Sequence, residues 1–445
     1  MVFMINDLVL ENIKLVDLPG EYNIGLNEGK ISEISKTGLN GDRVIRFNDG
    51  EFAVPGLIDP HVHFRDPGLT YKEDFHTGSM SAANGGFTTV IDMPNTVPLT
   101  DTYKSFKEKK RIGEKKSLVN FGLNAGFNSY SEMCKVAELN PCSFKIFMDL
   151  KSDKELNECF SNLSKLNTNM GKDFIVSCHC ENKFIIRENT FWQQSKESND
   201  SIDYSLSRHS DAEIVSVKQA LDLAGKYNLR THICHLSTFI GLKNVLESNR
   251  DVSYEFTPHH LLLDNTCFNV YGNMVKTNPP LRPLGEGVSV KDIAGDCMIG
   301  TDHAPHSIVE KSQGVWDSKP GIPNLETVLP LLLTEVNRGN VPLSFIPKIM
   351  SENIAKRFQL RGKGKISEGF DADITIINMK SKGEFDLNSF YTKGKYTPFK
   401  NWEYQGKAVM TIVEGDVVME NGVIIENSKS NIHSANENNH KYVYD

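Results

Sequence analysis

The 445-residue sequence has no run approaching the roughly 18 uninterrupted apolar residues of a membrane-spanning helix. Its first stretch, MVFMINDLVLENIKLVD, scatters acids where a secretory leader needs an apolar core, so a cytoplasmic protein is expected, with no membrane partner. Cysteine is sparse, with eight in the chain, and without a leader these are expected to be free thiols rather than a disulfide framework. Positive charge is short as well: 49 Lys and Arg against 57 Asp and Glu leave a net charge of -8, which argues against nucleic acid as a partner. The one Lys-rich run, KSFKEKKRIGEKK at 104–116, has glutamates interleaved at helical spacing and reads as a solvated helix face.

What is present is an ordinary globular composition, 39% hydrophobic and 24% charged, with ample chain for a large core. Residues 1–53 alternate apolar and polar in short pieces separated by Gly and Asn, and the same texture returns over 361–428. Both termini are expected to build one small composite β-domain. Between them, 54–360 alternates short apolar runs with helical patterns. Eight runs stand out: GLIDPHVHF, FTTVIDM, LVNFGLNAGF, SFKIFM, FIVSCHC, LRTHICHL, DVSYEFT and CMIGT, with helices expected near 73–84, 101–116, 153–166, 209–227 and 324–337. Eight such units predict an α/β fold of the (β/α)8 barrel type, with an open doubly wound sheet as the alternative. The stretch 429–445, rich in Asn and Ser and without periodicity, is expected to be mobile.

In a barrel the functional groups belong at the C-terminal strand ends. His61 and His63 lie two apart, so on a strand both rings share one face, either as half of a metal site or as two surface histidines in a turn. In SCHCEN, alternation sets His179 against Cys178 and Cys180, which reads the cysteines as packing groups. In THICHLST, His235 is nearer the strand end than His232 and is the better ligand. Asp302 follows the last apolar run. Lys145, inside SFKIFM, should be buried with its pKa lowered; a neutral amine there can form a carbamate, and the alternative is a lysine that pairs with Asp149. The long segment 303–323 reads as an active-site loop or lid.

Taken together, PGLIDPHVHFRDPG, IDMPNT, HCEN, HICHLST, TPHHLLL, KTNPPLR and IGTDHAPH resemble the class I dihydroorotases of the cyclic amidohydrolase superfamily, in order from about residue 50 to 375. The resemblance implies a TIM barrel with a small composite β-sandwich domain formed by both termini. It implies a zinc-dependent enzyme that reversibly hydrolyses the cyclic amide of dihydroorotate to N-carbamoyl-aspartate. By the family pattern His61, His63 and Asp302 hold one Zn2+ and His179 and His235 a second, with Lys145 as a bridging carbamate and Asp149 as fallback. Asp302 doubles as the catalytic acid and base. Arg65, Asn95, Asn278, His306, Pro320 and Gly321 match substrate-binding positions. A homodimer, and association with aspartate transcarbamoylase, are further implications. Dihydropyrimidinase or allantoinase activity, or a non-catalytic partner of a transcarbamoylase, are the alternatives. His232, His259 and His260 receive no site role.

Overall fold

The computed structural model describes residues 5–198, 200–426 and 442–444. The N-terminal zone forms β1 (Asn6–Leu15), β2 (Glu21–Asn27), β3 (Lys30–Ser35), β4 (Gly41–Arg46) and β5 (Glu51–Pro55). Eight barrel strands follow: β6 (Leu57–Val62), β7 (Phe87–Asp92), β8 (Asn120–Gly126), β9 (Ser143–Phe147), β10 (Ile175–His179), β11 (Thr231–Ile233), β12 (Val252–Phe256) and β13 (Met298–Ile299). They pair in sequence order and all in parallel. The ring closes where Val62 bridges to His303 and the His63 N–H donates to the His303 carbonyl at 2.9 Å. The chain is therefore a closed barrel and not an open sheet. Its strands are buried on both faces, which is why they read as near-continuous apolar runs.

The five expected helices are present as Phe75–Asn84, Tyr103–Lys116, Asp153–Met170, Ser210–Tyr227 and Val328–Asn337. Local chemistry sets their ends: Asp153–Met170 starts at a Ser152/Glu155 capping box and stops at Gly171 in the left-handed region. One expectation fails within Tyr103–Lys116. Lys109 is buried, its Nζ 2.7 Å from Asp92 and 2.6 Å from the Met93 carbonyl, so the basic run is not wholly a solvated face. The helix must press one side on the barrel, and the lysine on that side is neutralised there.

The C-terminal zone supplies β14 (Ile374–Glu384), β15 (Glu403–Val413), β16 (Asp416–Glu420) and β17 (Val423–Ile424). Antiparallel pairing of β14 with β5 joins the two ends of the chain, and the nine described strands form one continuous sheet with its own core of Leu10, Ile13, Ile24, Ile31, Ile374 and Ile412. Between β14 and β15 the chain crosses to the barrel mouth, where the Tyr396 hydroxyl donates to the Gly321 carbonyl at 3.0 Å. Among the described residues no helix is long and apolar enough to cross a membrane.

Most of 429–445, the stretch expected to be mobile, lies outside the described residues. Its residues 442–444 do not fit that expectation. Tyr442 is buried edge-on against Phe121, and Val443 N–H donates to the Phe121 carbonyl, because β9 starts too late to pair with that end of β8. All eight cysteines are free thiols; Cys178 and Cys180 are buried in the apolar core, as their alternation with His179 requires.

Candidate active site

At the C-terminal strand ends a cavity of about 500 Å³ is lined by all twelve of the residues singled out in the sequence. His61 and His63 leave β6 on one face. The Nε2 atoms of His63 and His61 stand 3.0 and 3.5 Å from Asp302 Oδ1. Their outer nitrogens are held elsewhere: His61 Nδ1 by Glu255, and His63 Nδ1 by Asn95 Oδ1 at 2.7 Å. Fixing the outer nitrogen in this way aims the inner one, with its lone pair, at a common point. Burial alone would raise the Asp302 carboxyl, but His61 and His63 outweigh it and hold the group well below the usual carboxylate range.

The second half is built from β10 and the end of β11. His179 Nδ1 lies 3.0 Å from His235 Nε2, while His179 Nε2 pairs with Glu181 Oε2 at 2.9 Å. Burial, with His179 and Lys145 adding to it, keeps His235 well below its ordinary value and hence neutral. His235 (φ 36), Asp302 (φ 46) and Arg65 (φ 61) all occupy the left-handed region, which costs roughly 1–3 kcal/mol each and turns three side chains into one cavity. His61, His63 and Asp302 meet the spacing of a cation site, and facing ring nitrogens at His179 and His235 supply two further donors. This neutral-imidazole and carboxylate set fits a divalent cation.

Lys145 is buried on β9, with Nζ donating to Cys234 Sγ at 2.9 Å. The expected lowering of its pKa is not found. Burial pulls the ammonium down, but Cys234, Glu255 and Asp302 together pull it up further and leave it above its ordinary value. These neighbours come from three other strand ends, which sequence position alone could not place. Asp149, the fallback bridge, is drawn by Arg208 (2.8 Å) to the Nε2 side of His179, opposite His235.

Arg65 is 7% exposed, its Nε has no hydrogen-bond partner, and it makes no ion pair among the described residues. The acids that could have satisfied it are taken: Asp66 by Lys116 at 2.7 Å, and Glu73 by Thr77 and Thr392. His306 stands beside it, Nε2 3.3 Å from Arg65 Nη2 and 3.0 Å from the Pro320 carbonyl. Burial, with Arg65 and Lys72 adding to it, keeps His306 neutral. Asn278 Oδ1 accepts from the Tyr204 hydroxyl at 2.5 Å.

Gly321, matched to a substrate-binding position, has both of its backbone groups engaged within the protein. Its N–H donates to the Lys276 carbonyl, and its own carbonyl accepts from Lys311 and Tyr396. What it contributes is room, since a Cβ would stand 2.3 Å from the Ala304 carbonyl at a φ of 146. The segment 303–323 is not wholly irregular either, for Ile308–Lys311 is a short helix. Two buried lysines staple it. Lys276 Nζ donates to the Val315 and Ser318 carbonyls at 2.6 and 2.5 Å, and Lys311 Nζ donates to the carbonyls of Lys276, Lys319 and Gly321 at 3.2, 3.1 and 3.0 Å.

His232 bonds Ser253 and Glu255, His259 accepts from Asn324, and His260 bonds the Pro279 carbonyl, so all three hold the scaffold. The sequence reading missed Glu255 and Glu181. A signal existed for each: Glu255 is an acid inside the apolar run DVSYEFT, and Glu181 follows His179 by two.

The chain matches the Amidohydrolase family over residues 52–418. Its relatives include the dihydroorotase of Methanothermobacter thermautotrophicus, 46% identical over 434 residues, 98% of this chain and 99% of that protein. The dihydroorotase of Pyrococcus abyssi is 35% identical over 91% of this chain and 92% of its own. Among solved structures, the L-hydantoinase (dihydropyrimidinase) of Arthrobacter aurescens superposes with a TM-score of 0.88 at 29% identity, covering 95% of this chain and 98% of that one.

Proposed function

This chain belongs to the amidohydrolase family, and on that premise we propose that it is a dihydroorotase, opening the cyclic amide of dihydroorotate to N-carbamoyl-aspartate and closing it in reverse. The observation that carries the substrate assignment is Arg65: a buried guanidinium lining the same cavity as the candidate cation ligands, with no ion pair to a carboxylate among the described residues. Dihydroorotate bears the carboxylate that its planar fork fits, whereas dihydrouracil and allantoin do not.

In this reading His61, His63 and Asp302 hold one Zn2+, and His179 and His235 hold a second. Bound there, such cations acidify a water molecule and polarise the scissile carbonyl. Lys145 as a carbamate would present two oxygens between the halves in place of an ammonium, which two cations would otherwise repel. Asp302, ionised and facing both His61 and His63, takes the proton of the attacking water and returns it to the departing ring nitrogen. Asn95 spends its carbonyl on His63, so its amide nitrogen is the group available to the substrate beside Arg65. Asn278 is oriented likewise by Tyr204. A homodimer and association with aspartate transcarbamoylase remain family-based expectations, to be measured by sedimentation with and without that enzyme.

The test is ring opening of dihydroorotate beside dihydrouracil and allantoin, with and without Zn2+, for wild type and Asp302→Asn. Metal-dependent turnover of dihydroorotate alone, lost in the variant, is expected. Turnover of an uncarboxylated ring would move the protein to the dihydropyrimidinase or allantoinase group.

A further inference from the structure

Behind the carboxylate pocket lies a second cation that does not itself line the cavity. Lys72 is 7% exposed, and its Nζ stands 3.2 Å from His306 Nδ1 and 2.8 Å from Glu310 Oε1. Four groups face the His306 ring: Lys72 at Nδ1, Glu310 at 3.6 Å from that same nitrogen, and Arg65 and the Pro320 carbonyl at Nε2. An ammonium has three donors and no acceptor, so a nitrogen it bonds must offer a lone pair. That places the single imidazole proton on Nε2, beside Arg65, where the Pro320 carbonyl accepts it at 3.0 Å.

Resting on the dihydroorotase reading above, we infer that Lys72 is a positioning residue for substrate specificity: by holding the His306 proton on Nε2, where the Pro320 carbonyl accepts it, Lys72 denies Arg65 a lone pair on that ring and leaves the guanidinium fork free for the substrate carboxylate. With the opposite tautomer, His306 Nε2 would offer a lone pair to Arg65 Nη2, 3.3 Å away, and draw the fork from the anion. Lys72 also leaves a second positive charge behind the pocket, offset only in part by Glu310, whose side chain is 19% exposed. Its position seven residues after Arg65 in FRDPGLTYK lets one loop carry both the contact residue and the residue that sets its neighbour's proton.

The experiment is steady-state kinetics of Lys72→Met, Lys72→Arg and Glu310→Gln on dihydroorotate, with metal content and thermal unfolding measured on each. Lys72→Met is expected to raise KM at least tenfold while kcat falls less than threefold, Lys72→Arg to recover most of that loss as a donor without an acceptor, and Glu310→Gln to lower KM. A simple clamp between Lys72 and Glu310 would make Glu310→Gln raise KM instead, and that result would overturn the inference. So would a Lys72→Met variant with unchanged KM, or one losing kcat and KM alike. Should Lys72→Met fail to fold, Lys72→Leu, which likewise has no donor for His306 Nδ1, carries the same expectation. A wild-type enzyme inactive on dihydroorotate would instead sink the substrate assignment, and this inference with it.

Discussion

Glu181 Oε2 meets His179 Nε2 at 2.9 Å, and the other nitrogen of the same ring faces His235 across 3.0 Å. The carboxylate is itself held by Arg208, whose Nε lies 3.1 and 3.0 Å from its two oxygens. Such outer partners orient a ligating imidazole and raise its basicity. Replacing Glu181 with Ala should weaken cation binding by about 10–100-fold. Chelator competition measures this directly, and an unchanged affinity would remove Glu181 from the site's working parts.

Arg65→Ala should cost carboxylated substrates about 3 kcal/mol, roughly a hundredfold in kcat/KM, because a charge-assisted hydrogen bond in a dry pocket is lost. Any slow turnover of uncarboxylated rings should hold steady. Equal losses on both classes would mean that Arg65 supports the cavity rather than reads the substrate.

Lys276 offers a pH signature. Burial, then Lys319 and Arg208, lower its pKa to about 8, whereas in the unfolded chain its value stays near 10.4. Because the folded value is depressed for a cation, the cost of burying the charge is present below about pH 8 and relieved above it. Global stability should therefore not fall from this group as pH rises. The staple on Val315 and Ser318 should weaken instead, since a neutral amine is a poorer donor. KM for dihydroorotate is expected to climb above about pH 8 in the wild type and to show no such limb in Lys276→Met; parallel profiles would refute the role.

Lys109→Met leaves Asp92 buried without its partner, and breaking a buried pair on one side costs about 3–5 kcal/mol. Denaturant unfolding should show that loss, and Lys109→Met with Asp92→Leu should recover much of it. Full recovery is not expected, because Asp92 Oδ1 also accepts from the Phe64 N–H beside His63.

The barrel was legible in the sequence because its strands are buried on both sides and so appear as uninterrupted apolar runs. His61 and His63 were legible for a related reason, the two-residue period of a strand. The same rule would have misjudged His235 had it been applied alone: β11 ends at Ile233, and a left-handed turn rather than alternation delivers the side chain. What the sequence withheld were pairings between distant residues. His61 and Glu255 are 194 positions apart, Lys72 and His306 are 234, and nothing in the spacing of either member points to the other. In the basic run at 104–116 the other charged residues reach solvent, and Lys109 alone departs from the solvated face for the same reason, since its partner Asp92 lies on another element.

The sheet shared by the two ends of the chain also has a meaning in time. Phe52 pairs with Ile377, so the first strands leave the ribosome some 325 residues before their neighbours exist. At synthesis rates of about 5–20 residues per second that is a wait of roughly 16–65 s, during which the inner edge of β5 is open to any other strand in reach. All eight barrel strands are synthesised within that interval, so the sheet joins β5 to β14 around a stretch of chain that already holds every strand of the barrel.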